Sequence, residues 1–478
     1  MINPNSELYQ WGPVKGRILP VSFFALPILL KYVKVYGIFW PETLFIFDRR
    51  YMTWINDDAD LRGSGKKSFN KWMLNKANRR LVENRFNKTV ARLFALNGQI
   101  SVKWLKSLNK NQLIVFFQKW QKIYFEFWVH GIIPEISNWG GEKLAAEILK
   151  KNVGQSEKFN HFYEVLSAPT QSSFYQKEEI ELLKIAKSSG QPKIFQKKLQ
   201  QHQQKYFWLL NNYYRTKVLS LGYFQERLKG VKNASAKIQS IKNQLLLTQS
   251  NKRALVKKLK LKPLEERIIE SLDYGICWQD RRKAFIMEIN HYLDLLLKEV
   301  ARRTDYTLSE LKSLLPAEVI RVLEGHKIKK SLIKSRDKFF AFFYNKRSLK
   351  YLSGREAQSL YRPFTVVKKN LQVITGLVVS QGPTVTGKAR IIKSFTQLKN
   401  FKSGEILVTP MTSPEYVVAM RKAKAVITDG GSMTCHASIV SRELKVPCIV
   451  NTKSATAMFR TGDLISVNTA QGQIKKVL

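Results

Sequence analysis

A histidine at the start of a helix, just after two glycines, is the group in this sequence best placed to do chemistry. In the segment 425–450, AVITDGGSMTCHASIVSRELKVPCIV, a buried strand (AVIT) runs into Asp429-Gly430-Gly431 and then into a helix expected to begin near Thr434. His436 falls in the first turn of that helix. There the unpaired amides and the positive end of the helix dipole favour an anion such as a phosphoryl group. The same dipole disfavours imidazolium, which keeps the ring neutral and nucleophilic near pH 7. Gly430 and Gly431 carry no side chains, so a bulky phosphodonor can approach. Cys435 is a second candidate nucleophile, because a helix start can lower a thiol pKa. An isolated histidine here would usually cap or pack the helix. The pattern around it favours chemistry.

The elements that must hold this turn lie beyond residue 370. LQVITGLVVS, GKARIIKS, GEILVTP, AKAVITD, PCIVNT and GDLISVNT are short Val/Ile-rich runs bounded by Gly, Pro and Asp, and read as strands. Helices fit between them at Pro414–Lys422 and Thr434–Leu444, which gives a compact α/β unit. The first 340 residues read as predominantly helical, with apolar residues at spacings of three and four in Asn111–Val129 and Lys283–Val300. NWGG (138–141) and SSGQP (188–192) read as breaks between helices. Thr307 or Ser309 would cap a short helix, and Pro316 would open the next. Between these parts, FFAFFYNKRSLKYLSGREAQSLY reads as two short strands and a small helix beginning near Gly354, a plausible hinge. The expected organisation is a mainly helical region over 1–337, a hinge or linker over 338–370 and the α/β unit over 371–478.

Composition bounds the rest. A chain of 478 residues with 44% hydrophobic and 12% aromatic residues has ample material for cores. Its three cysteines (Cys277, Cys435, Cys448) have no metal-ligand spacing and fit a reducing cytosol. The apolar run Ile18–Leu30 holds two prolines and is shorter than the roughly 20 residues of a membrane span. It therefore reads as buried packing, not an integral membrane segment, and no cleavable leader is evident. The formal charge of +45 invites a nucleic-acid reading, but it is spread almost evenly over the chain. One stretch stands out. Residues 187–262 hold 18 Lys/Arg and a single acid, Glu226, with Tyr206, Phe207, Trp208, Tyr213 and Tyr214 interleaved. Basic plus aromatic suits single-stranded nucleic acid or another acidic surface, whereas helical spacing of the aromatics suits a core stripe.

The segment around His436 closely resembles the phosphohistidine motif of the phosphoenolpyruvate-utilising enzymes, a family that includes phosphoenolpyruvate synthase, pyruvate phosphate dikinase and rifampicin phosphotransferase. Gly430, Gly431, Thr434, Cys435, His436, Ala437, Arg442, Glu443, Leu444 and Pro447 match its pattern. Upstream, GEILVTP with Thr412 and Pro414 matches the strand and loop before the motif, and the resemblance runs over about 371–478. It implies a multi-domain chain ending in a swivelling, or mobile, phosphohistidine domain of β/β/α type. It also implies a phosphotransferase component that carries a phosphoryl group on His436. Arg442 is expected in a mainly structural or interdomain role, with Lys388, Arg390 and Arg442 as possible phosphate contacts. Weaker likeness to synthase-like members covers Gln279–Lys283, Leu311–Glu318 and the stretch with His202. No ATP-grasp or phosphoenolpyruvate-barrel pattern is legible, and no paired acids suggest a magnesium site. The expected donor, ATP or phosphoenolpyruvate, would thus sit with its magnesium on a partner such as an ATP-grasp protein. The acceptor, an unknown small molecule, would meet the helical region. The alternative is a non-catalytic polyanion-binding or regulatory protein that retains the swivelling fold.

Overall fold

Runs of β-branched and aromatic residues near the N-terminus, TLFIFD and YMTWIND, are buried on both faces and build a sheet within the region expected to be mainly helical. The computed structural model describes residues 2–154, 158–188, 190–345, 348–365, 373–393, 395–412, 416–431 and 435–477. Its first sheet is antiparallel, in the order β1 (Leu8–Lys15), β3 (Tyr51–Asp57), β2 (Thr43–Asp48), β4 (Phe339–Tyr344) and β5 (Leu349–Ser353). The two strands expected in the 338–370 stretch are β4 and β5, and β4 pairs along its whole length with β2. These two strands are therefore built into the N-terminal body. The helix expected near Gly354 follows, at Arg355–Tyr361.

Helices surround this sheet. Lys110–Gly131 and the 41-residue helix Pro263–Arg303 contain the two segments whose periodicity predicted them. Thr307 caps the short helix Leu308–Leu311 with a capping box to Glu310, and Pro316 opens the helix Pro316–Glu324. The apolar run near the N-terminus is the helix Ile18–Tyr36. It is long and apolar enough to cross a membrane, yet most of it is buried against the fold. NWGG is not a break. It lies inside the helix Ile133–Val153, where Gly140 rests on the backbone of the helix Asp58–Ser68. A Cβ on Gly140 would come within 2.2 Å of the Lys66 amide nitrogen, and one on Gly141 within 2.6 Å of the Phe69 ring. The glycines permit a close helix crossing, which the sequence could not distinguish from a turn.

The C-terminal part is an eight-stranded sheet in the order β6 (Val373–Thr375), β13 (Gln473–Lys476), β12 (Leu464–Asn468), β8 (Val385–Ile391), β9 (Ile406–Thr409), β10 (Ala425–Thr428), β11 (Cys448–Val450) and β7 (Leu377–Ser380). β8, β9, β10 and β11 run parallel, and the flanking pairs are antiparallel. One face has its own core, with Ile406, Val408, Ile427 and Ile465. The other face carries Leu407, Val426 and Val450, which join the histidine-bearing helix His436–Leu444 to the apolar core of the helical body. Polar ties accompany this seam. Asn160 donates to the Ala470 carbonyl at 3.0 Å, and Lys453 pairs with Glu7 at 3.0 Å.

Candidate functional site

The parallel strands β9 and β10 end side by side, and the chain leaves both toward His436. The Asp429 amide donates to the Thr409 carbonyl at 3.1 Å and the Gly430 amide to the Pro410 carbonyl at 3.0 Å, so the two loops are sewn together as they leave the sheet. Asp429 is an anchor. Its carboxylate accepts the Thr456 amide at 2.9 Å and the Thr456 hydroxyl, and burial raises its pKa. Gly431 has φ +133°, and a Cβ there would lie 3.0 Å from both Cys435 Sγ and Val450 Cβ. Any side chain would be strained and would displace the residue preceding the histidine. A Cβ on Gly430 would meet only ordinary contacts with Met411 and the Gln10 carbonyl. Thr434 lies outside the described residues.

The helix begins at His436, with Cys435 at its N-cap in extended conformation and no side-chain cap. The imidazole is therefore the first side chain at the helix's positive end. Thr412, three residues beyond β9, places its Oγ1 2.8 Å from His436 Nδ1. When Nδ1–H donates to that hydroxyl, Nε2 keeps its lone pair as the nucleophilic nitrogen. The ring is half-buried. Burial pushes its pKa down to about 3, with the positive charge of Lys283 on the long helix adding to the effect. It is neutral throughout the physiological range.

The other predicted site residues fall into two groups. Cys435, Ala437 and Arg442 surround the histidine. Cys435 Sγ lies 3.1 Å from Ser438 Oγ, and Ala437 is buried in the seam. Arg442 Nε donates to the Val379 carbonyl of β7 at 2.8 Å. Burial lowers the Arg442 pKa against the pull of Glu164 on the helix Lys158–Ser167. Lys388 and Arg390 form the second group and sit on β8. Arg390 grips Glu405, just before β9 begins, through Nε at 3.0 Å and a second, shorter contact. His436 sits past the opposite end of β9, so a phosphate touching Lys388 or Arg390 is not one held on His436 in this arrangement. Thr412 and Lys283 were not singled out as site residues by sequence reasoning. Thr412 belongs to the strand-loop motif that carried the resemblance, and Lys283 closes the stretch Gln279–Lys283 of weaker likeness, which assigned it no role. Among the described residues, no group of three or more His, Cys, Asp or Glu is gathered to hold a metal ion.

The basic stretch 187–262 also takes on a definite form. Tyr206, Trp208 and Phe224 are buried in a small separate core, and Phe207 packs against it. Tyr213 packs on the main core. Tyr206, Phe207, Trp208 and Tyr213 thus take part in core packing, as the helical spacing of the aromatics suggested.

The loops of this parallel-stranded sheet thus meet at a neutral, helix-starting histidine. Comparison with known proteins finds a family over this same part of the chain. Residues 401–472 match the family "PEP-utilising enzyme, mobile domain". The probable phosphoenolpyruvate synthase of Methanothermobacter thermautotrophicus is 41% identical over 110 residues, which cover 23% of this chain and 16% of that protein. The phosphoenolpyruvate synthase of Aquifex aeolicus is 41% identical over 106 residues, covering 22% and 12%. That of Helicobacter pylori is 49% identical over 88 residues, covering 18% and 11%. The C-terminal part of this chain is thus a mobile domain of the phosphoenolpyruvate-utilising enzymes, and the chain spans only about a sixth or less of those relatives' length. A solved structure of aconitase X from Thermococcus kodakaraensis overlays 22% of this chain and 98% of its own length, at 13% identity and a TM-score of 0.19.

Proposed function

We propose that this chain is a phosphotransferase component in which His436 Nε2 takes a phosphoryl group from a donor and delivers it to an acceptor, by movement of the C-terminal domain as a swivel. The observation that carries the reading is the Thr412–His436 pair. It holds Nδ1 of a neutral ring at 2.8 Å and leaves Nε2 at an uncapped helix start. In the first step the Nε2 lone pair attacks the donor's terminal phosphorus and the bond to the leaving oxygen breaks. In the second, an acceptor oxygen attacks the same phosphorus and Nε2 regains its electron pair. Two in-line steps let each half-site supply its own charge stabilisation. The donor, ATP or phosphoenolpyruvate with magnesium, is read as bound on a partner polypeptide, and the acceptor as bound against the helical body.

The test is incubation of the full chain with phosphorus-labelled ATP or phosphoenolpyruvate, with and without cell extract. Acid-labile, alkali-stable label on wild type and none on His436→Ala is the expected result. Stable label on both proteins, or on neither in any extract, contradicts the proposal.

A further inference from the structure

We propose that an open basin of about 610 Å³, at the end of the C-terminal sheet remote from His436, binds a short polyphosphate anion. Three segments build it. Lys388 comes from β8, Lys402 and Ser403 from the turn that precedes β9, and Lys424 from the position just before β10. The four residues of β9, Ile406–Thr409, span roughly 13 Å, and the Thr412–His436 pair lies past their other end. A ligand in the basin therefore touches neither residue, and its binding does not depend on phosphoryl transfer through His436.

Local structure sets the charges in place. KSGE (402–405) folds into a tight turn, in which the Glu405 amide donates to the Lys402 carbonyl at 3.3 Å and the Lys402 amide to Glu405 Oε2 at 2.8 Å. Gly404 completes the turn at φ +83°, a conformation that other residues rarely adopt. The stem of Lys424 passes over Gly387, and its Nζ donates to the Thr386 carbonyl at 3.3 Å, leaving two further N–H groups for a ligand. Two acids reach this surface, and both are taken. Glu405 holds Arg390 Nε at 3.0 Å through each oxygen and Nη2 through a shorter contact. Asp463, between the lining residues Gly462 and Leu464, accepts Lys476 Nζ at 2.8 Å and the Arg460 amide at 2.9 Å. Arg390 and Glu405 cancel. Lys388, Lys402 and Lys424 are exposed, and among the described residues none of them forms an ion pair, although Lys402 lies in the field of Glu405.

The kind of cation narrows the ligand. The guanidinium fork, which would suit a planar carboxylate, is already spent on Glu405. What remains is three ammonium groups, point charges on separate segments, each with donors that rotate to meet an oxygen. They suit an anion that carries charge at several points along its length and presents oxygens in many directions. A chain of two or three phosphates does both. Small-molecule sites of about 300–1,000 Å³ are usually lined by apolar and aromatic groups. Here Leu464 is the one apolar side chain among the described lining residues, and no aromatic ring is among them. A nucleoside would find nothing to pack on.

Isothermal titration of inorganic triphosphate into the full chain at low salt tests the site. Saturable binding at one site is expected, the same for wild type, for His436→Ala and for chain phosphorylated on histidine with potassium phosphoramidate. Lys388→Gln, Lys402→Gln and Lys424→Gln should each weaken it about fivefold, or about 1 kcal/mol. Lys388→Glu with Lys424→Glu should weaken it by at least about 100-fold. Lys242→Glu with Lys257→Glu, at exposed positions of the helix Ala234–Lys258, makes the same change in net charge and should leave binding within about twofold. ATP should bind within about fivefold of triphosphate, and citrate at least about fivefold more weakly. Absence of saturable binding, or equal loss in the two double variants, overturns the proposal. Citrate matching triphosphate would overturn the choice of phosphate, and ATP binding more than about fivefold tighter the choice of a ligand without a nucleoside.

Discussion

Two regions of this molecule place a histidine among protein groups, and they do so to opposite ends. In the small core built from the helices Phe174–Ala186, Pro192–Tyr206 and Leu221–Leu228, His202 is buried with Nε2 2.9 Å from Glu178 Oε1. Arg227 grips the same carboxylate through two contacts of 2.7 and 2.8 Å. Tyr206 and Phe224 pack on the ring. That imidazole is a strut joining three helices. At the C-terminal site His436 has one nitrogen held by a hydroxyl and, among the described residues, no carboxylate partner, and it stands at a helix start. Burial disfavours its charged form there. A buried histidine beside a carboxylate is stabilised as part of a network, whereas one oriented by a neutral hydroxyl keeps a lone pair for chemistry.

The widest gap between the two should appear in phosphoryl uptake. His436→Ala is expected to lower labelling by at least about 1,000-fold, because the proposal makes its Nε2 the covalent carrier. His202→Ala should leave label per folded molecule within about twofold. The order reverses for stability. Removing Glu178 strands Arg227 and His202, and Glu178→Ala should cost about 3–5 kcal/mol in denaturant unfolding, as breaking a buried pair does. A cost below about 1 kcal/mol would mean that the cluster is not the strut described.

Smaller effects sharpen the comparison. Thr412→Val keeps the shape but removes the partner of Nδ1. Labelling should fall about tenfold, the loss of one oriented hydrogen bond worth about 1.4 kcal/mol. An unchanged rate would show that the ring needs no such guide. Arg390→Ala removes the grip on Glu405 at the far end of β9, and labelling should stay within about twofold with about 1 kcal/mol or less of lost stability.

Acid offers a further discrimination. His436 and His130 are both held neutral, burial pushing the first to about 3 and the second to about 4, where Arg85 assists. Below about 6.5 an unfolded histidine takes up a proton that the folded one refuses. Stability therefore falls as pH drops from about 6.5, and the loss from each ring ends once its folded pKa is passed. His130→Gln should flatten this slope in urea melts between pH 6.5 and 4.5. A slope unchanged by His130→Gln and His436→Ala together would place the loss elsewhere.

Much of the C-terminal unit was legible in the sequence because each strand there is a short Val/Ile run closed by a Gly, Pro or Asp, and because the Gly-Gly turn before His436 is a local signal. β13, with the sequence QIKK, was not legible, since only one of its residues is apolar. In the N-terminal body, β2 and β3 lack the alternation of a half-exposed strand because both faces are buried. Their partner β4 is also remote in sequence, so no local pattern announces the sheet. NWGG misled for a related reason, because the neighbour that requires its glycines is the helix carrying Gly65. Thr412 and Lys283 become site residues only through tertiary placement.

Nitrogen-15 labelling of the histidines, followed by long-range proton–nitrogen correlation spectra of the phosphoramidate-treated chain, tests the central claim most directly. A phosphoryl group on His436 Nε2, with Nδ1 still carrying its proton, is the predicted result. Phosphorylation at His436 Nδ1, or at other histidines while His436 stays unmodified, would contradict it.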